Sequence, residues 1–121
     1  MTRPRAVIRN IAEVPWKEYP NHYGGALSKP LVDAELPGAT QVDYRISRYA
    51  PMAYVDRHSH KVQEQIYHVL SGEGLFDFDD SSQVVRAHDV MFIPPGVEHA
   101  ISNTGLEPLV FLVITSPMTD D

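Results

Sequence analysis

His58 and His60, separated by one residue, form a pair of imidazoles that could act together on one metal ion. On an extended strand the side chains at i and i+2 leave the same face, so both imidazoles can reach one point in space. Neutral imidazole is the commonest ligand for mid-row divalent metals, and a pair so placed could hold one ion. Surface histidines also occur at this spacing, so the pair gains weight only from its neighbours along the chain. Downstream lie Gln65, the run Tyr67-His68-Val69-Leu70-Ser71-Gly72, and another histidine, His99, just after the turn Pro94-Pro95-Gly96.

The elements that must position these residues read as strands. From Thr40 the texture alternates, with Val42, Tyr44 and Ile46 on one face and Asp43, Arg45 and Ser47 on the other. Short strand-like runs follow at Met52–His58, Gln65–Leu70, Gly74–Asp79, Gln83–Arg86, Val90–Ile93, His99–Ser102 and Leu109–Thr115. Turn-forming residues separate them: Ser71-Gly72, Asp79-Asp80-Ser81-Ser82, Pro94-Pro95-Gly96 and Asn103-Thr104-Gly105. Many short strands so punctuated predict an all-β sandwich or barrel. Val7 to Val14 is expected to form a short strand, and Pro15 to Pro37, with four prolines and Gly24-Gly25, an irregular lead-in. The division expected is therefore residues 1–39 as a lead-in on the barrel or a dimer partner, and residues 40–121 as the barrel.

At this point the chain resembles the cupin superfamily. The superfamily's first motif reads Gly, five residues, His-x-His, three or four residues, Glu, six residues, Gly. The second reads Gly, five residues, Pro-x-Gly, two residues, His, three residues, Asn. The second is met at Pro94, Gly96, His99 and Asn103, with His88 in place of its leading glycine. The first is met at His58, His60 and Gly72, with Met52 at its leading glycine and Gln65 where the carboxylate usually stands. Glu64 fits the shorter spacing instead, but Gly72 is then one residue too far. A one-residue slip turns a strand side chain to the opposite face, so Glu64 and Gln65 cannot both point inward from a regular strand.

The resemblance implies a double-stranded β-helix, the jelly roll of the RmlC-like barrels, and one divalent metal ion per chain. The implied ligands are His58, His60, Gln65 and His99, with Glu64 the alternative to Gln65. Fe, Mn, Ni, Co and Zn all suit three imidazoles and one oxygen. With four neutral ligands the ion keeps its full charge, which favours anionic or chelating oxygen donors. Tyr67 follows Gln65 by two residues and is the candidate acid or base, because a phenol beside a dication loses its proton more readily. Filling the barrel is its plainer role. Met52 and Tyr54 share the parity of His58 and His60 and are expected to line the cavity. Arg45 and Arg48 leave opposite faces, so only one of them can.

Function is expected to be a metal-dependent, non-oxidative step on a small oxygen-rich molecule, of isomerase or lyase type. The alternatives are an O₂-dependent dioxygenase and a binding protein without catalysis. A homodimer is expected, since small cupins usually pair and two-fold dimers are the commonest assembly.

The bulk numbers narrow the remaining classes. A chain of 121 residues suits one domain, and 43% hydrophobic with 21% charged residues is ordinary for a globular one. Net charge is −6, and the ten Lys and Arg residues are scattered, so nucleic acid is not an expected partner. No cysteine is present, which excludes disulfides, thiolate metal sites and cysteine nucleophiles. The longest apolar run, Leu109 to Ile114, is far short of the roughly 20 residues that span a bilayer, and Met1 to Pro15 lacks the apolar core of a signal peptide. No membrane association is expected, and a cytoplasmic location is.

Overall fold

The alternating segments form strands, and the strands close into two facing antiparallel sheets. The structure, a computed structural model, describes residues 3–121, so Met1 and Thr2 of the expected lead-in lie outside the described residues. In chain order the strands are β1 (Lys17–Glu18), β2 (His22–Tyr23), β3 (Ala26–Val32), β4 (Asp43–Tyr49), β5 (Tyr54–Val55), β6 (Glu64–Ser71), β7 (Glu73–Phe78), β8 (Ser81–Arg86), β9 (Val90–Ile93), β10 (His99–Ser102) and β11 (Leu109–Ser116). One sheet has the order β1-β3-β4-β11-β6-β9, and the other β2-β5-β10-β7-β8. This is the expected double-stranded β-helix. Among the described residues no helix is long and apolar enough to cross a membrane.

The main core lies between the sheets. Tyr49, Tyr67, Val69, Met91, Ile93, Leu109 and Phe111 come from the six-stranded sheet, and Val55, Phe76, Val85 and Ile101 from the five-stranded one. Each strand contributes alternate residues, which is why the period of two was visible in the sequence. The β6–β7 turn needs Gly72. Its φ is +86°, and a Cβ there would sit 2.4 Å from the carbonyl oxygen of Pro108, so the turn presses directly on the chain entering β11.

Three sequence expectations are corrected. Val7 to Val14 holds no strand: residues 3–10 are irregular and Ile11–Glu13 is a 3₁₀ turn capped by the Asn10 side chain, which accepts from the Ala12 N–H at 2.9 Å. The stretch from Pro15 to Pro37 is more regular than expected. It supplies β1, β2 and the seven-residue β3, which pairs with β4 from Ala26↔Tyr49 to Val32↔Tyr44. Pro30 is accommodated because the register shifts between Pro30 and Val32. Finally, the run Met52–His58 is a strand only at Tyr54–Val55. Met52 (φ +75°) and Tyr54 are exposed rather than cavity-lining, and Ala53 and Val55 are buried instead.

A second, smaller core covers the outer face of the six-stranded sheet. Val14, Leu31 and Ile46 are buried there with Tyr44, Val110 and Leu112 packed against them. Arg9 ties the N-terminal segment down by donating to the carbonyl oxygens of Leu31 (2.7 Å) and Leu36 (3.2 Å). The apolar face of β4 therefore points outward under this segment, which turns its polar face, Asp43, Arg45 and Ser47, into the barrel.

Candidate metal centre

His58 and His99 face each other across an isolated antiparallel bridge, each backbone N–H donating to the other's carbonyl oxygen at 3.0 and 2.8 Å. That pairing puts their rings side by side, with centroids 4.3 Å apart. His60 follows in the loop, where its carbonyl oxygen accepts the Gly96 N–H at 2.7 Å. The Pro-x-Gly turn thus anchors the His60 loop as well as aiming His99. The ligand nitrogens of His58, His60 and His99 all lie within 4.8 Å of one another. First-row divalent ions, which bind imidazole nitrogen at about 2.0–2.1 Å, draw nitrogens together from such a spacing.

Tautomers are set by the backbone. His58 Nδ1 donates to the carbonyl oxygen of Asp56 at 2.8 Å, and His99 Nδ1 to that of Val97 at 2.9 Å. Since a carbonyl can only accept, both Nε2 atoms carry lone pairs when the rings are neutral. Burial keeps them neutral: it pushes His58 below the ordinary histidine value and His99 to about 4, with the neighbouring imidazoles acting in the same direction.

Gln65 and Glu64 separate cleanly. Gln65 is buried and faces the cluster, whereas Glu64 is exposed on the outer face. Gln65 Nε2 donates to Thr115 Oγ1 at 3.0 Å, which leaves Oε1 3.0 Å from His99 Nε2. Two lone-pair atoms then oppose each other, an arrangement that a cation relieves. Turning the amide over would also relieve it, with Thr115 Oγ1 donating instead. The His60 Nε2 offers no such way out: it is buried and has no hydrogen-bond partner among the described residues. A buried nitrogen left unpaired costs free energy, and one aimed at two further imidazoles fits a metal ion. The donor set thus suits a mid-row divalent ion.

Tyr67 lies two residues beyond Gln65, buried, with its ring centroid 5.9 Å from that of His99. Burial pushes its phenol above the ordinary range, so in the metal-free protein it holds its proton and can donate but not act as a base. His68 is half-buried on the opposite parity of β6, and Arg57 pairs outward with Glu98 at 3.1 Å.

His58 and His60, with Gln65 and Tyr67, line a cavity of about 280 Å³. Its far wall comes from Tyr19, His22, Asp43, Arg45 and Ser47, so of the two arginines on β4 it is Arg45 that lines the space, while Arg48 is exposed. Sequence reasoning missed a further residue, Asp120. Its carboxylate accepts the backbone N–H groups of Lys61 and Val62 at 2.8 Å and Gln63 at 3.2 Å, and stands 3.8 Å from His60 Nδ1. Those bonds, led by Val62 and Lys61, hold its carboxyl below the usual range. No local pattern could have revealed a contact between residues about sixty positions apart.

The buried Asn103 explains the last position of the second motif. Its Nδ2 donates to the carbonyl oxygens of Tyr49 and Glu107 at 2.8 Å, and its Oδ1 accepts the Gly105 N–H, so it ties a loop. The missing glycines are explained as well. Met52 and His88 stand at the two leading glycine positions, and both adopt left-handed backbone, φ +75° and +79°. Residues 45–115, spanning both histidine motifs, match the family model for the cupin domain.

The chain belongs to the cupin family. An uncharacterised protein of Methanocaldococcus jannaschii is 38% identical over 117 residues, covering 97% of this chain and 78% of that one. The oxalate-binding protein of Thermotoga maritima is 38% identical over 64 residues, 53% of each chain. Among solved structures, a predicted oxalate decarboxylase from Thermotoga maritima superposes with a TM-score of 0.82 at 26% identity, covering 91% of this cupin and 98% of that chain.

Proposed function

We propose that this cupin holds one divalent metal ion on His58, His60, Gln65 and His99 and performs a non-oxidative step, isomerisation, tautomerisation or lysis, on a small organic acid that chelates the ion. The observation that carries this reading is the unpartnered, buried His60 Nε2 beside two imidazoles whose Nδ1 atoms are already committed to backbone carbonyls. When bound, the ion supplies a Lewis acid that polarises a carbonyl or carboxylate oxygen. Gln65, being neutral, leaves the ion's charge uncancelled for an anionic ligand. Tyr67, protonated and lining the same cavity, donates to an oxygen that gains charge, while Phe111 and Val113 keep that side of the cavity apolar.

Binding without turnover is the second reading, and the similarity to an oxalate-binding protein favours it. A homodimer is also proposed, through the outer face of β9, where Val90 and Phe92 are 58% and 59% exposed.

The test is metal content on protein purified without chelators or a His tag, followed by Co(II) spectra during titration with oxalate. About one metal per chain and a spectral change that saturates support the site. Protein that stays empty and refuses added Co(II) overturns it. Proton NMR of bound 2-keto acids in D₂O separates the two readings: exchange at C3 marks catalysis, and its absence marks binding alone.

A further inference from the structure

The far wall of the cavity carries a charged pair that the metal chemistry does not use. Arg45 donates from Nε and Nη2 to the two carboxylate oxygens of Asp43, at 2.8 and 3.1 Å, and its Cζ lies 4.5 Å from the centre of the Tyr19 ring. Two neighbours hold the guanidinium, so its orientation is set in advance. Nη1 has no partner among the described residues, and the carboxylate oxygens keep lone pairs to spare. Beside the pair, Ser47 shares a buried 2.8 Å hydrogen bond with Ser28 and retains acceptor capacity. This wall is electrically neutral in sum and offers donors and acceptors side by side.

Its position relative to the histidines is set by the strand register. Asp43 pairs with Thr115 of β11, and Thr115 pairs with Gln65 of β6; Arg45 stands in the same relation to Tyr67 through Val113. Neighbouring strands lie about 4.8 Å apart, so the Asp43 backbone is roughly 10 Å from that of Gln65. The pair thus stands two strands across from Gln65 and Tyr67, where it meets the tail of a ligand and not its chelating head. The cavity, at about 280 Å³, encloses one such ligand and little more.

We propose that Asp43 and Arg45 form a second recognition point that reads hydroxyl groups on the tail of a sugar-acid-like substrate whose chelating head sits at the metal. A hydroxyl both donates and accepts, and so matches a wall that does both. A second carboxylate would meet the negative charge of Asp43 beside Arg45, and an apolar tail would strip both charged groups of water without replacing their hydrogen bonds. This recognition point rests on the metal-chelation reading of the histidine cluster.

The experiment uses the Co(II)-loaded protein and three five-carbon 2-keto acids with one common head: 2-oxopentanoate, 2-oxoglutarate and 4-hydroxy-2-oxopentanoate, which carry apolar, carboxylate and hydroxyl-bearing tails. Affinity is read by calorimetry. The hydroxylated acid is expected to bind on the order of tenfold tighter than 2-oxopentanoate, as one or two extra hydrogen bonds would give. Arg45→Met and Asp43→Asn each abolish that advantage while leaving metal content unchanged and 2-oxopentanoate bound at least as tightly as before. Equal affinity for all three acids, or a preference for 2-oxoglutarate, overturns the hydroxyl-reading wall. If no 2-keto acid binds the loaded protein, the chelation reading itself has failed, and oxalate titration reports that separately.

Discussion

Two cavities of the cupin differ more in lining than in size. The larger, about 380 Å³, lies at the open edge between β8 and β9 and is chiefly aromatic and aliphatic, with Phe76, Phe78, Met91, Phe92, Ile93 and Val97. The smaller, about 280 Å³, holds His58, His60, Gln65 and the Asp43–Arg45 wall. Tyr67 lines the smaller and Phe76 the larger, and their rings meet edge to face with centroids 6.0 Å apart. Volume therefore does not mark the site. What marks it is convergence: three imidazoles with ligand nitrogens within 4.8 Å of one another, two with fixed tautomers, and one buried nitrogen with no hydrogen-bond partner among the described residues. The larger cavity lies at an open sheet edge and gathers no such cluster of donor groups.

That contrast can be broken most directly by one substitution on each side. His60→Ala is expected to lower metal content from about one per chain to near zero, by elemental analysis, with the fold retained in circular dichroism. Met91→Ala, in the wall of the larger cavity, is expected to cost roughly 2–4 kcal/mol in denaturant unfolding and leave metal stoichiometry unchanged. If Met91→Ala emptied the site, the two cavities would not be separable.

Asp120→Ala should weaken metal affinity on the order of tenfold in a chelator competition, because the loop after His60 loses the carboxylate that holds three of its N–H groups. Unchanged affinity would confine Asp120 to loop stability.

The metal-free protein should lose stability as pH falls from about 6.5, the ordinary histidine value, to about 4, the value of buried His99. Within that window the unfolded chain takes up a proton that the folded protein refuses, and the shift at His58 adds in the same direction. Melting temperature against pH checks this. The deficit of Met91→Ala should not vary with pH across the same range, since no titrating group is removed.

The smallest effects belong to the backbone. Met52→Gly and His88→Gly should each raise stability by about 1 kcal/mol, because both positions already require left-handed φ. Loss of stability at either position would show that the side chain there packs more than it strains.

That Gln65 and not Glu64 points inward was legible before any coordinates, because a slip of one residue reverses the face and Gly72 fixes the count. Tyr67 inherited its inward direction by the same parity. The predicted common direction of His58 and His60 is also realised, but through a different cause. The segment from Asp56 to Gln63 is not a regular strand, and the bridge to His99, not local alternation, sets the rings. Extending strand parity back through this region is what misplaced Met52 and Tyr54. A left-handed residue at Met52 interrupts the alternation, and only the motif's missing glycine hinted at it.

Periods, turn residues and motif spacings are properties of neighbours along the chain, so they were enough for the all-β class, for most strands from β4 onward, for the grouping of the three histidines and for the inward side of β6. Pairing between distant strands is not such a property. Whether Pro30 could sit inside a sheet depended on β4 as its partner. The inward aim of Arg45, and not Arg48, depended on Val14 and Leu31 covering the apolar face of β4. Asp120 reached His60 only because β11 runs beside β6. Those choices rest on competition for buried area and backbone hydrogen bonds across the whole barrel, which no single stretch of the chain contains.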